Sequence, residues 1–195
     1  DSHRRQRQMC IRDRVNTLND GDNVLMVETG HFASLWNNMA QKLGLKVELL
    51  KTDWRQGLDP NEIEKRLRLD VDKKIKAVCI VHNETSTGCT ANVKAVRDIL
   101  DDLNHDALLM VDTISGLASI NYEHDEWGVD ITISGSQKGL MLPPGLSFNA
   151  ISEKAIDISK KSTLRKSYWD WAEYLEFNKT GFFPYTPATL SLIHI

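Results

Sequence analysis

Three polar loops of the sequence carry residue types that could do chemistry, and each follows a short apolar run. The first loop, residues 82–88, reads HNETSTG, and the second begins at Asp112. The third, residues 134–139, reads SGSQKG and contains Lys138. Taken singly, the first loop could be a polar turn that caps the following helix. Asp112 could cap a helix or bind a metal ion, and Lys138 could be a solvated surface charge. Taken together, an amine, a carboxylate and a group of hydroxyls and amides indicate a site for a covalently held cofactor.

Pyridoxal phosphate (PLP) is the cofactor whose requirements these residues match. A lysine forms a Schiff base with its aldehyde, and a carboxylate faces its ring nitrogen. The negative charge keeps that nitrogen protonated, and the protonated ring then withdraws electrons from the substrate carbanion. Gly135, Ser136 and Gly139 are small and leave room for a ring beside Lys138. The apolar residues 140–142 are expected to desolvate the lysine amine.

Alternating strands and helices must position these loops. Apolar runs predict strands at about 24–27, 46–50, 75–81, 108–111, 131–133 and 146–151. Helix signals predict helices at about 32–43, at 60–69 and through Val93, Val96, Leu100 and Leu103. This alternation indicates an α/β fold with a mostly parallel sheet. Ligands of such sheets bind beyond the carboxyl ends of the strands, where the three loops are expected.

The composition narrows the class of protein. The chain has 195 residues, 41% of them hydrophobic and 26% charged, which allows one sizeable core. Its net charge of -3 and the absence of a long apolar run argue against nucleic-acid and membrane partners. Cys10, Cys79 and Cys89 form neither a disulfide framework nor a zinc site, so we expect no metal and a reducing, intracellular compartment.

The two ends differ in character from the rest. Residues 1–14 are strongly basic and have neither helical nor strand periodicity. They could be a nucleic-acid-binding arm, but we favour a non-native scar, because they resemble translated adapter sequence. Residues 190–195 (LSLIHI) are expected to be a second scar, which leaves 15–189 as interpretable sequence.

The order of three motifs carries a specific resemblance. HNETSTG, then VDTISGLASI, then DEWGVDITISGSQKGLMLPPGL resembles the class V aminotransferases of PLP fold type I, most closely serine–glyoxylate and alanine–glyoxylate transaminases. The resemblance implies that 15–189 are part of the PLP-binding large domain. This is a three-layer domain with helices on both faces of the sheet, truncated here at both ends and lacking the small C-terminal domain. The implied reaction transfers an amino group from serine or alanine to glyoxylate.

The resemblance also implies a role for each matching residue. Lys138 would form the Schiff base and move a proton between substrate and cofactor, and Asp112 would pair with the pyridine nitrogen. Six further residues would contact the cofactor: Thr85 at the ring, Gln137 beside the phosphate, Ile114 and Phe32 on the two ring faces, and Tyr185 and Thr186 at the phosphate of a neighbouring subunit. A homodimer with shared sites follows. For Phe32, core packing at a helix start is an equally good explanation.

Several alternatives stay open. A pyruvate-using transaminase or a cysteine desulfurase shares the fold type, although neither Cys79 nor Cys89 lies where a desulfurase needs its cysteine. A nucleotide-binding module would need a GxGxxG or GKS/GKT motif, which the sequence lacks. A catalytically silent scaffold conflicts with the presence of both Lys138 and Asp112. The expected location is cytoplasmic, or peroxisomal in a eukaryote.

We expect this chain alone to show no transaminase turnover. The Gly-rich phosphate segment of the family and its arginine for the substrate carboxylate both lie outside the matching sequence, so cofactor and substrate would be held weakly. The measurement is glyoxylate-dependent consumption of serine or alanine, with a version extended to the length of the relatives as the positive control. Robust turnover by the 195-residue chain would contradict the expectation.

Overall fold

A six-stranded sheet is the centre of the computed structural model, which describes residues 11–181. Its strands are β1 (Asn23–Glu28), β2 (Lys46–Lys51), β3 (Ile75–Val81), β4 (Leu108–Asp112), β5 (Ile131–Gly135) and β6 (Ser147–Ile151). They lie in the order β2-β1-β3-β4-β5-β6. All neighbours are parallel except β6, which runs antiparallel to β5. The predicted strands and the mostly parallel sheet are confirmed.

Six helices connect and flank the strands in this part of the chain. They are α1 (residues 11–17), α2 (His31–Lys42), α3 (Pro60–Leu69), α4 (Val93–Asp102), α5 (Glu153–Ser159) and α6 (Trp171–Asn178), with a short 3-10 helix at Ser167–Trp169. The predictions of α2, α3 and α4 are confirmed, whereas α1, α5 and α6 were not predicted. Within residues 11–181, no helix combines the length and the apolar character that crossing a membrane requires.

The helix ends follow from local sequence signals. The side chain of Asp59 accepts a hydrogen bond from the amide of Asn61 (3.0 Å), next to Pro60 in the first turn of α3. Asn92 caps α4 in the same manner through the amide of Ala95 (3.1 Å). Gly44 has a φ of +81° just after α2, a conformation that suits glycine and ends the helix.

The sheet is buried on both faces between layers of helices. Ala77, Cys79 and Val81 of β3 face the layer that contains α2, called the α2 layer below. The alternate residues Val78 and Ile80 face α3 and α4. Burial on both faces explains why the central strands β3 and β4 read as nearly continuous apolar runs, whereas the outer strands β2 and β6 are only partly buried. It also raises the pKa of the Cys79 thiol to about 12, as expected of an inert core cysteine.

Helix α1 brings charged side chains into the α2 layer. Asp13 and Arg14 are both completely buried. Arg14 Nη1 donates to the carbonyl of Trp36 (3.0 Å), and its guanidinium lies 4.7 Å from the centre of the Trp36 ring. Neither carboxylate oxygen of Asp13 has a hydrogen-bond partner among the described residues. The nearby backbone amides of Asp13 and Arg14 stabilise the carboxylate only in part, and a buried carboxylate without a well-aligned partner is costly, so Asp13 fits its position poorly. The non-native origin of residues 1–14 stays a prediction.

The buried carboxyl of Asp13 leads to a prediction about how the stability of the chain depends on pH. Burial raises the pKa of Asp13 to about 7, although the charge of Arg14 opposes that rise. The folded state therefore binds the proton of the Asp13 carboxyl more tightly than the unfolded state does. The free energy of unfolding consequently falls as pH rises from about 4 to about 7. Asp13→Asn should remove that loss. Above pH 7 the variant should be more stable by about 4 kcal/mol, and near pH 4 its stability should be nearly unchanged.

Urea unfolding across this pH range measures the difference. Asp106 is exposed, so Asp106→Asn serves as the matched control and should leave the pH profile unchanged. Equal stability of parent and Asp13→Asn at pH 8 would show that the carboxylate is not buried in this way.

Candidate functional site

The three polar loops meet at one edge of the sheet. Strands β3, β4 and β5 are adjacent and parallel, and Val81, Asp112 and Ile133 lie opposite one another in the register. The loops that follow these residues therefore leave the sheet side by side. Backbone bonds join them: His82 N donates to Asp112 O (2.9 Å), and Thr113 N donates to Ile133 O (2.8 Å). The predicted convergence of the loops is confirmed.

Asp112 supplies a buried carboxylate at this edge. It is 8% exposed, and its Oδ1 accepts a hydrogen bond from Ile114 N (2.8 Å). Burial is the main cause that raises the pKa of Asp112 to about 6, and the negative charge of Glu84 adds to it. The Ile114 amide and the charge of Arg14 act in the opposite direction. Within residues 11–181 Asp112 has no salt-bridge partner, so its second oxygen can accept from a cationic ligand.

The loop after β3 caps helix α2, and not the following helix that the alternative explanation of its sequence named. The sequence allowed a turn that caps the following helix, α4, whose cap is instead Asn92. Glu84 is buried in the loop and accepts hydrogen bonds from the first amides of α2, which precedes it in the chain. Thr85, the predicted ring contact, is exposed beside it. Sequence reasoning missed Glu84; the available signal was the lack of any capping side chain at Gly30.

The loop after β5 is a compact turn that presents Lys138. Ser136 is buried, and its hydroxyl donates to Pro143 O (2.6 Å), while Met141 N donates to Lys138 O (2.9 Å). The Lys138 side chain is exposed. The expectation that residues 140–142 desolvate its amine is wrong, because Lys138 is itself exposed and Met141 is 89% exposed. The amine is thus reachable by a ligand.

The turn that carries Lys138 packs directly on the loop that follows Asp112. A methyl group at Gly139 would lie 2.1 Å from the carbonyl oxygen of Leu117 and 2.5 Å from the hydroxyl of Ser119. Only glycine allows the two backbones to approach so closely. Gln137 precedes Lys138, and its side-chain oxygen is buried without a partner among the described residues. This oxygen therefore lacks the donor that a buried acceptor normally has.

Phe32 and Ile114 lie on the same side of the sheet as Asp112. Met110 faces the α2 layer, so Asp112, two residues later on β4, faces it too. Ile114 is buried in that layer, in the same cluster as Ala33, the neighbour of Phe32. Phe32 itself is half-buried at the start of α2. These positions allow both side chains to flank a ring, and that role stays a prediction. Tyr185 and Thr186 lie outside the described residues.

His82 lies on the opposite face and has a structural environment. Its ring centre is 5.0 Å from that of Tyr122 and 6.1 Å from that of Trp127. Burial lowers the pKa of His82, so the neutral ring is favoured. His82 is therefore part of the packing behind β3 and does not face Asp112.

The residues present fit PLP. A buried carboxylate with a free acceptor suits a protonated ring nitrogen, and an exposed amine suits an aldehyde. The unpartnered Gln137 oxygen and the exposed Thr85 add polar contacts. Within residues 11–181 no group of three or more histidine, cysteine, aspartate or glutamate side chains could hold a metal ion.

Known proteins match the chain along most of its length. The family model described as aminotransferase class-V matches residues 5–164. The serine–glyoxylate aminotransferase of Methylorubrum extorquens is 47% identical over 177 residues, which are 88% of this chain and 44% of that protein. The L-aspartate–glyoxylate aminotransferase of Paracoccus denitrificans is 40% identical over 173 residues, 89% of this chain and 44% of that protein. The chain thus spans less than half the length of these relatives.

A solved structure has the same fold. The subgroup IV aspartate aminotransferase of Thermus thermophilus superimposes with a TM-score of 0.81 and 31% sequence identity. The match covers 93% of this chain and 50% of that structure. The sheet with helices on both faces is therefore the large-domain fold of PLP fold type I.

Gly139→Ala tests the contact between the Lys138 turn and the loop after β4. Because the methyl group would meet backbone, the substitution should destabilise the chain by about 3 kcal/mol. Gly21→Ala is the control, because a methyl group there meets nothing within 4 Å and only the positive φ of +81° opposes it. That control should cost about 1 kcal/mol. Urea unfolding measures both, and equal losses would disprove the close approach.

Proposed function

The chain belongs to the class-V aminotransferase family, and on that premise we propose that Lys138 and Asp112 bind PLP in a transaminase site. One observation carries the proposal. The Asp112 carboxylate is buried without a salt-bridge partner among residues 11–181, at the sheet edge where Lys138 is exposed. A cation beside Asp112 would satisfy the carboxylate, and the protonated ring nitrogen of PLP is such a cation.

In this proposal each residue of the chain has a separate task. PLP, when bound, supplies an electron-withdrawing ring that stabilises negative charge on the substrate carbon. Asp112 accepts the hydrogen bond of the ring nitrogen and retains the proton there. Lys138 would hold the cofactor covalently until the amino group of the substrate displaces it, and its freed Nζ would then move a proton to and from the substrate carbon. Thr85 and Gln137 hold polar groups of the cofactor, and their exposed or unpartnered side chains support this.

The electrostatics of Asp112 suit this task at neutral pH. Burial raises the pKa of the free carboxyl to about 6, so without a ligand it becomes protonated in mildly acidic solution. A cation at contact favours the ionised form and lowers that pKa. The carboxylate and the protonated ring therefore stabilise each other, and cofactor affinity should weaken as the solution is acidified.

Phe32 and Ile114 are proposed to enclose the two faces of the cofactor ring. Their support is their place on the Asp112 side of the sheet. A flat aromatic side chain stacks on a pyridine ring, and a branched aliphatic one fills the other face while excluding water. Ile114 has a second link to the site, because its amide holds the Asp112 carboxylate in place.

The proposed substrates are a small amino acid and glyoxylate. Both relatives named above carry glyoxylate in their names, which supports it as the amino acceptor. They differ in the amino donor, serine in one and L-aspartate in the other. Serine is preferred here because the relative named for it is the more similar. Alanine remains the other donor proposed from the sequence.

A homodimer is proposed, with Tyr185 and Thr186 of each subunit reaching the cofactor phosphate of the other. An apolar surface next to the site supports it. Met141, three residues from Lys138, is 89% exposed, and Phe148 on the edge strand β6 is 38% exposed. Phe148 lies opposite Ser134 in the register, so both residues belong to the part of the sheet that leads to Lys138. Exposed apolar side chains near a functional edge suit a surface that a second copy covers.

Covalent trapping of PLP tests the proposal. PLP is added to a version extended to the length of the relatives, borohydride makes the lysine link permanent, and peptide mapping locates it. The label should lie on Lys138 and be lost in Lys138→Ala. Asp112→Asn should weaken PLP binding about tenfold or more, because a charge-assisted hydrogen bond is lost.

Lys42→Ala is the control, since Lys42 is an exposed lysine in the last turn of α2. It should take up the label on Lys138 like the parent protein. A Lys138→Ala protein that still forms the adduct at the same site would overturn the assignment.

A further inference from the structure

Glu84 is a buried carboxylate with four donors and no role in the proposal so far. Its Oε2 accepts from Ala33 N (3.0 Å), and its Oε1 accepts from Phe32 N (3.4 Å). Oε1 also accepts from the amide and the hydroxyl of Ser86, at 3.0 and 2.8 Å. The side chain is fully buried. All four bonds join the loop after β3 either to itself or to the start of α2.

The start of α2 depends on this remote side chain. Gly30 occupies the N-cap position and has no side chain to cap the helix. The first amides are satisfied instead by Ser86, which accepts from His31 N (2.9 Å), and by Glu84. A negative charge at a helix N-terminus is favourable because the free amides there carry partial positive charge.

Gly30 is required because Glu84 occupies the adjacent space. A methyl group at Gly30 would lie 2.4 Å from the Cγ atom of Glu84 and 2.5 Å from the hydroxyl of Ser86. The loop and the helix start are therefore packed at contact distance. Thr87 adds a further bond, from its hydroxyl to Thr29 O (3.4 Å).

The Glu84 carboxylate also raises the pKa of Asp112 through its negative charge. Within residues 11–181 Glu84 has no salt-bridge partner, so its negative charge is stabilised by hydrogen bonds but not cancelled by a cation. After burial, that charge is the next cause that raises the pKa of Asp112. A cation placed beside Asp112 is thus attracted by two carboxylates instead of one.

We propose that Glu84 is a positioning residue of the cofactor site: its carboxylate locks the turn that carries Phe32 onto the loop that carries Thr85. The relative placement of these two residues around Asp112 then depends on one buried side chain. The benefit to the cofactor rests on the proposed function, whereas the lock between loop and helix is a property of the fold.

Glu84→Gln tests this role with little change in size. Glutamine removes the negative charge and keeps one acceptor oxygen. Its side-chain NH2 group takes the place of the other oxygen and cannot accept from the backbone N–H that it faces. In the extended protein, PLP affinity should fall about tenfold, as expected when a charge-assisted bond is lost. Hydrogen exchange should become at least about tenfold faster at whichever of the Phe32 and Ala33 amides faces the NH2 group, because that amide loses its acceptor.

Asp59→Asn is the matched control. Asp59 also caps a helix N-terminus, that of α3, and its side chain is exposed. This substitution removes the same charge in the same kind of position, so it can lower thermal stability. It should leave PLP affinity unchanged. If Glu84 had a purely structural role, Glu84→Gln and Asp59→Asn would both lower thermal stability and both leave PLP affinity unchanged.

Gly30→Ala provides a second, independent test. It displaces the Glu84 carboxylate by steric contact without removing it. It should reproduce the loss of PLP affinity, and the losses of Gly30→Ala and Glu84→Gln should not add in the double variant, since both break the same contact. Additive losses would contradict the lock.

The outcomes separate this inference from the function on which it rests. Parent-like PLP affinity and parent-like exchange at residues 32–33 in Glu84→Gln would overturn the positioning role alone. Failure of the parent extended protein to take up PLP would overturn the proposed function, and with it the role of Glu84 toward the cofactor.

Discussion

Two buried carboxylates at one sheet edge are the constraint around which this part of the molecule is organised. Glu84 resolves its burial by accepting four hydrogen bonds from the protein, whereas Asp112 accepts one, from Ile114. Charge that is removed from water must be compensated, and proteins achieve this with donors, cations or protonation. Asp112 retains capacity for a cation, while Glu84 has none left. The difference in bonding thus distinguishes Asp112, which is proposed to bind the cofactor, from Glu84, whose bonds are all to the protein.

The fold was largely predictable because the central strands are buried on both faces. Residues 75–81 and 108–112 read as strands for that reason, and Asp112 was placed correctly at the end of one. The helices α3 and α4 have local caps, Asp59 and Asn92, that the sequence displays. Short helices such as α5 and α6 offer one or two turns of pattern, which is too little to recognise.

The site was only partly predictable, because its key contacts join distant residues. Glu84 and Ala33 are 51 positions apart, so no local pattern relates them. The exposure of Lys138 depends on how the turn folds outward at Met141, which the apolar composition of that turn does not reveal. Conversely, convergence of the three loops followed from parallel strand order alone. The assignments of Thr85, Gln137, Phe32 and Ile114 to the cofactor remain predictions.

The strand order has a consequence for where a ligand can settle. From β1 the chain first adds β2 on one side and then β3 on the other, which makes the gap between β1 and β3 a topological switch point. Open α/β sheets usually bind ligands in that crevice. Here the loops that follow β1 and β3 close it with the carboxylate of Glu84, whose charge would repel an anion. Among the described residues this crevice is therefore filled by a buried side chain, and the proposed PLP site lies beside it, where β4 ends at Asp112 and β5 leads to Lys138.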